Sequence, residues 1–279
     1  MLKLDHFASL FRAADKDRII IPDVSIHRIL LVTDMNHEES LQLWDRWKGL
    51  FEPSVDIRIF DAEISQRLPS LIEAMKPVEC DLVITYRCLH SDAWQYPYAI
   101  GSYVEVLTQI MPFPVLLMPH PQQHTDTYTK PKHLLLFSSE LTNESELVGF
   151  ANAFVTSKDQ SLTMVQMDDQ ATYDRIFEII SKIPQIDTDD AQYYIQERRS
   201  LEMKDWVMRC IDALEKKGNA PHLSYMDIHD PSMKKCASLI EEHQADLLII
   251  NTKDDEQLAI HGLAYPIMVQ FRNIPLLLR

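Results

Sequence analysis

Two places in this 279-residue chain carry residues whose types and spacing could do chemistry. At the first, the apolar run Arg28-Ile29-Leu30-Leu31-Val32-Thr33 ends in Asp34, a carboxylate at the carboxyl end of a buried strand. Open α/β sheets bind ligands along that edge, so Asp34 is placed to meet the polar side of a ligand. The same carboxylate can simply cap the helix that begins near His37, and the residues alone do not separate the two roles. At the second, Gly101-Ser102 opens a helical pattern (Val104, Leu107, Ile110, Met111) that Pro112 and Pro114 stop. Glycine lets backbone approach a ligand closely, serine caps, and the positive end of a helix attracts anions. The plain alternative is a helix cap with tight packing.

Other groups offer less. His90 and Asp92 form a lone H-x-D in a polar, aromatic loop that also holds Cys88, Ser91, Trp94, Tyr96 and Tyr98. Cys88 is near enough to a helix start for redox chemistry, but a partly buried inert thiol is the simpler reading. The rings either wall a pocket or pack over the sheet edge. His120 and His124 are four apart, a metal-binding interval only on a helix. Pro121 and the polar run HPQQHTDTYTKP make this stretch a loop with solvated histidines instead. Ser138-Ser139 lacks the flanking glycines of a nucleophile elbow, and His261 has no evident partner. No nucleophile, base or metal cluster stands at a recognisable catalytic spacing.

The elements that must position these groups alternate. Strand patterns at 28–34, 55–60 and 80–85 are separated by helical patterns at 37–50 and 64–75, the first with Leu41, Leu43, Trp44 and Trp47 on its inner face. The helix from Gly101 leads to the apolar run Pro114–Met118. Strands alternating with helices predict a parallel sheet, since parallel neighbours need crossovers. Then the pattern restarts. HLLLFSS at 133–139 repeats RILLVTD, Glu144-Ser145 stands against Glu39-Ser40, and ADLLII at 245–250 repeats CDLVIT at 80–85. Gly262 precedes Pro275 by thirteen residues (275 − 262), as Gly101 precedes Pro114 (114 − 101). The second half adds strands at 161–167 and 222–227, one or two helices between Tyr173 and Lys217 broken near Pro184, and a helix begun by Asp230-Pro231.

This divides the chain into an N-terminal arm (1–27, with an amphipathic helix over 1–18 and an edge strand or tether at 19–22), a shortened first domain (28–119), a linker (120–131) and a second domain (132–279). Two sheets are expected, one burying Leu30, Val32, Leu82, Val83, Val115 and Leu117, the other Leu135, Leu248, Ile249 and Leu277. The net charge of −15, with no basic stripe, argues against nucleic acid or an anionic membrane as partner. No apolar run reaches the roughly 18 residues of a membrane span, and charges interrupt the N-terminus where a signal peptide would be apolar. Four cysteines without close pairing read as free thiols in a reducing compartment, which places the protein in the cytoplasm.

A strand ending in Asp, a late DLVIT strand, a loop, a Gly-Ser helix and a Pro-Val-Leu-Leu strand together resemble the universal stress protein family, in its tandem two-domain form. The resemblance spans 28–119 and 132–279. It implies two open parallel α/β sheets of the nucleotide-binding kind, five-stranded when complete, the first abbreviated by one helix–strand unit. ATP-binding members carry G-x2-G-x9-G-[ST] after the fourth strand. Gly101-Ser102 fill its last positions, Cys88 and Ser91 occupy the two earlier glycine positions, and Asp34 matches the strand-end Asp that meets adenosine. The resemblance thus implies a vestigial nucleotide or anion site of Asp34, Cys88, Ser91, Gly101 and Ser102 in the first domain, with little or no ATP or another adenine nucleotide. In the second, Ser139 replaces the Asp, Leu263 follows Gly262 and the loop is shortened, so no ATP is expected.

The function so implied is a non-enzymatic cytoplasmic stress-response protein acting by ligand or partner binding. Two alternatives stay open: weak ATP binding with slow hydrolysis, and a ligand-free scaffold. The apolar final strands, 114–118 and 275–278, are edges that need cover, and they are expected to pack on each other within the chain; homodimer formation and the identity of any protein partner are left open.

Overall fold

Runs such as Ile29–Val32 and Leu82–Ile84 are apolar at every position, which only a strand covered on both faces can bury. In the computed structural model of the chain, which describes residues 19–168, 170–183, 187–218, 221–229, 232–252 and 264–279, such runs are the middle of one sheet. β1 (Arg28–Val32) leads through α1 (His37–Trp47) and a 3₁₀ turn (Lys48–Leu50) to β2 (Asp56–Phe60). Helices α2 (Ala62–Ser65) and α3 (Leu68–Met75) return the chain to β3 (Leu82–Tyr86). A loop with a 3₁₀ turn (Asp92–Gln95) enters α4 (Ser102–Ile110) and β4 (Val115–Met118). The second half runs β5 (His133–Ser138), α5 (Ser145–Ala153), β6 (Ser161–Asp168), α6 (Gln170–Ser181), α7 (Thr188–Glu215) and β7 (His222–His229). It closes with α8 (Met233–Glu242), β8 (Leu247–Ile250), α9 (Ala264–Gln270) and β9 (Leu276–Leu278).

The fold is α/β with a nine-stranded sheet in the order β2-β1-β3-β4-β9-β8-β5-β6-β7, parallel except where β4 meets β9. The expectation of two separate sheets is therefore corrected. Each half ends on a strand with an apolar edge, and Val115↔Leu278, Leu116↔Leu277 and Leu117↔Leu276 close these edges on each other. The first half's order, 2-1-3-4, is the second half's 7-6-5-8-9 without its outermost strand. One pair of carboxylates braces both halves in the same way. Asp81, ahead of β3, accepts the N–H groups of His27 and Arg28 at 2.9 Å each. Asp246, ahead of β8, accepts those of Lys132 at 2.8 Å and His133 at 3.0 Å. The Asp shared by CDLVIT and ADLLII thus pins the start of the neighbouring strand.

Local expectations shift in four places. In α1, started by a capping box between Asn36 and Glu39, the buried stripe is Ser40, Leu43 and Trp47, and Leu41 faces outward with 44% of its surface exposed. The helix α8 starts at Met233, capped by Ser232, whose side chain accepts from Lys235 N–H; Asp230 and Pro231, read as its start, lie outside the described residues. Residues 19–22 form no strand; Ile21 is buried, its carbonyl takes Lys217 Nζ at 2.9 Å, and a Cβ on Gly149 would lie 2.9 Å from the Pro22 oxygen. The segment thus lies over the second half. The stretch 120–131 is not a solvated linker at either end: His120, Pro121 and Pro131 are buried. Tyr128 N–H donates to Arg46 O at 2.8 Å, and a Cβ on Gly49 would stand 2.2 Å from Tyr128 O. The helix expected over 1–18, together with His261, Gly262 and Leu263, lies outside the described residues.

Candidate functional site

The chain leaves β1 for β2 on one side, while β3 returns to pair on the other. Such a reversal of strand order opens a crevice at the carboxyl ends of the strands. Thr33 and Asp34 emerge from β1 and residues 87–95 from β3, and between them lies an open cleft of about 450 Å³. Asp34, Glu39, His90, Asp92, Trp94 and His120 line it, with Met35, Ser91 and Gln122.

Asp34 is held by groups from the neighbouring strand. Its Oδ1 accepts a short hydrogen bond from the Tyr86 hydroxyl, its Oδ2 takes His90 N–H at 2.7 Å, and its own N–H donates to the Tyr86 oxygen at 3.2 Å. Burial, with the Asp34 charge beside it, pushes the Tyr86 phenol well above its ordinary range, so it remains a donor. One hydroxyl further back, Ser65 Oγ donates to Thr33 O at 2.7 Å and meets His90 Nε2 at 2.8 Å. Ser65 has one proton, already given to Thr33, so Nε2 carries the hydrogen and donates.

The loop gets its shape from close backbone contact. Cys88 and His90 both adopt left-handed backbone, φ 60° and 58°, which side chains with a Cβ rarely do. Gly101, at φ 94°, lies so near that a Cβ there would stand 2.8 Å from the N and Cα of Cys88. Glycine at 101 is therefore a packing requirement of the loop. Cys88 adopts a glycine-like backbone at a position where the resemblance implies glycine. It is 1% exposed, and burial raises its pKa; all four cysteines are free and buried.

His120 completes the wall. Only 5% exposed, it stacks on Trp94 (4.8 Å, 14°) and meets Tyr86 edge-on (5.1 Å, 88°). This corrects the reading of a solvated histidine. Burial pushes its pKa down to about 4; Asp34 opposes that shift, while the Arg272 and Arg87 guanidinium groups add to it. Those arginines tie the loop to the second half. Arg87, 1% exposed, donates to Met268 O (2.8 Å from Nη2) and Phe271 O (3.1 Å), and burial lowers its pKa to about 9. Arg272 donates a short hydrogen bond to Trp94 O, and His124 Nε2 lies 3.0 Å from Asn273 Oδ1.

Of the five residues read from the sequence, the structure brings Asp34 and Ser91 to the cleft. Ser91 does so while capping the 3₁₀ turn through Ala93 N–H at 3.1 Å. Cys88 and Gly101 pack against each other, and Ser102 is exposed at the start of α4; none of the three lines the cleft. The corresponding strand end of the second half is occupied by its own side chains. Gln166 Nε2 donates a short hydrogen bond to Ser139 O, its Oε1 accepts Leu141 N–H at 2.9 Å, and Ser138 Oγ donates to Glu144 at 3.0 Å. Among the described residues no group of three His, Cys, Asp or Glu could hold a metal, and no helix is long and apolar enough to cross a membrane.

The structural roles of Tyr86, Ser65, His120 and the two arginines were missed in the sequence. The one available signal was Tyr86, a ring with a polar tip at the end of an otherwise apolar run.

No model of a known protein family matches the chain, and no curated protein matches it. Solved structures similar to it include a functionally unknown protein from Pseudomonas aeruginosa PAO1, 11% identical over 91% of this chain and 92% of that one, with a TM-score of 0.45. A universal stress protein from Archaeoglobus fulgidus DSM 4304 is likewise 11% identical, over 91% of this chain and 85% of its own, with a TM-score of 0.45. What the site can do is therefore decided by this chain's own residues.

Proposed function

We propose that this chain is a non-enzymatic binding protein, a tandem two-domain member of the stress-response kind, with its site in the cleft between β1 and β3. The observation that carries the reading is Asp34, fixed by Tyr86 and His90 N–H at the mouth of an open cleft walled by the Trp94–His120 stack. Pre-set polar groups beside an aromatic wall at a strand-order reversal are what a small-molecule site needs. Buried free thiols fit a reducing compartment such as the cytoplasm.

Adenine nucleotides fit this cleft poorly. Asp34, Glu39 and Asp92 line it with no lysine or arginine, and Ser102, at the start of α4, is not among its walls. A triphosphate would meet carboxylates where it needs cations or backbone N–H groups. The test is mass spectrometry of small molecules released on denaturation, with calorimetric titration by Mg-ATP beside it. A released compound and no tight ATP binding are expected. Tight ATP binding abolished by both Asp34→Ala and Gly101→Val would replace this reading with that of a nucleotide-binding protein.

A further inference from the structure

The carboxylates of the cleft have no lysine or arginine to balance them. Asp34, Glu39 and Asp92 bring three carboxylates to its walls, and its only basic side chains are the imidazoles of His90 and His120. His90 adds no free donor on its Nε2 side, since that nitrogen is spent on Ser65 Oγ, whose own proton goes to Thr33 O. A second observation, independent of the acidic groups, points to a bound molecule. His120 is nineteen-twentieths buried (5% exposed) yet lines the cleft, and its ring makes one hydrogen bond among the described residues, Nδ1 accepting Gln122 N–H at 3.4 Å. That leaves Nε2–H as a donor without a protein partner, beside an indole ring. The nearby guanidinium groups of Arg87 and Arg272 are not among the lining residues and donate to the carbonyls of Met268, Phe271 and Trp94.

We infer that the cleft takes a small organic cation, a guanidinium or ammonium compound that also carries a carbonyl or hydroxyl oxygen. Its N–H groups meet Asp34 and the adjoining carboxylates in charge-assisted hydrogen bonds, its oxygen accepts from His120 Nε2–H, and a face of the Trp94 ring can meet the charge. The inference rests on the cleft being the binding site proposed above. The chain's net charge of −15 works in the same direction, drawing cations toward it.

Titration calorimetry of the full chain with argininamide, agmatine and AMP, at low and at physiological ionic strength, tests this. Argininamide carries the carbonyl that agmatine lacks. Saturable one-to-one binding of argininamide at physiological salt is expected, several-fold tighter than agmatine, with no saturable binding of AMP. Asp34→Asn, which keeps the shape and removes the charge, should weaken argininamide at least tenfold, and His120→Phe should erase the preference over agmatine. Should Asp34→Asn fail to fold, Asp92→Asn at an exposed loop position gives the same reading with a smaller loss. Cation binding seen only at low salt, or unchanged in both carboxylate variants, overturns the inference as non-specific attraction. AMP binding that Asp34→Asn or Trp94→Leu perturbs overturns it too, while leaving the cleft as the site. If neither the cations nor AMP bind and no compound is released on denaturation, both readings fail.

Discussion

At the scale of single residues, Gly101 and His120 show the two ways in which the loop after β3 is constrained. Gly101 is fixed by geometry, with left-handed backbone and the Cys88 backbone where a Cβ would go. Gly101→Ala should therefore lower the free energy of unfolding by about 2 kcal/mol, read in urea, because the methyl group must displace backbone. A loss near zero would mean that Cys88 can move away. His120 is fixed by burial. It titrates near 6.5 when unfolded and about 4 when folded. Between those values the unfolded chain takes up a proton that the folded chain refuses, so its contribution is complete above pH 6.5 and is lost as the pH falls toward 4. Because the cleft is open to water, about 1–2 kcal/mol is expected instead of the full shift. Comparing unfolding of the wild type and His120→Asn at pH 6.5 and pH 4 isolates it, since the variant should lose less over the same interval.

At the scale of elements, the cleft of the first half is shaped by a helix of the second. Arg87 leaves β3 and caps the last turn of α9, placing a cation on the negative end of that helix and bonding two of its otherwise free carbonyls. Arg272 reciprocates by holding the Trp94 carbonyl. Arg87→Met should cost about 2–3 kcal/mol, since buried carbonyls are left without donors, and amide exchange should quicken both in α9 and at 88–95. Arg87→Lys should recover only part of this, because one ammonium on a flexible stem does not reproduce a guanidinium fork. Exchange quickening in α9 alone would show that the cleft loop holds its shape without the second half.

At the scale of the whole molecule, the β4–β9 contact makes one sheet of two halves, and a single apolar cluster runs through both. Unfolding should follow as one calorimetric transition. Leu277→Pro strikes the centre of the junction, removing a ladder N–H and placing a ring against the neighbouring strand. A loss of about 3 kcal/mol or more is expected, with concentration-dependent self-association as the apolar edge of β4 is uncovered, measured by sedimentation. Two independent transitions in the wild type would show instead that the halves fold separately and merely touch.

By itself the sequence determined the α/β alternation, the strands apolar on both faces, the matching order of the two halves and the need to cover strands 114–118 and 275–278. These are properties of local period and local composition, and the chain carries them wherever it lies. It also marked Asp34, because a carboxylate ending an apolar run is visible in one line of text. Only the tertiary structure decided that the two edges join one sheet, that Leu41 turns outward while Ser40 turns in, and that Gly101 serves Cys88 and lies off the cleft. The cleft itself belongs to that second class. His120 reads as solvated because its neighbours in sequence are polar, yet it is buried because Tyr86, thirty-four residues earlier (120 − 86), and Trp94, twenty-six earlier (120 − 94), close over it. Burial, proton affinity and the loss or gain of a partner depend on what lies nearby in space, and distance along the chain does not fix that until the sheet has formed.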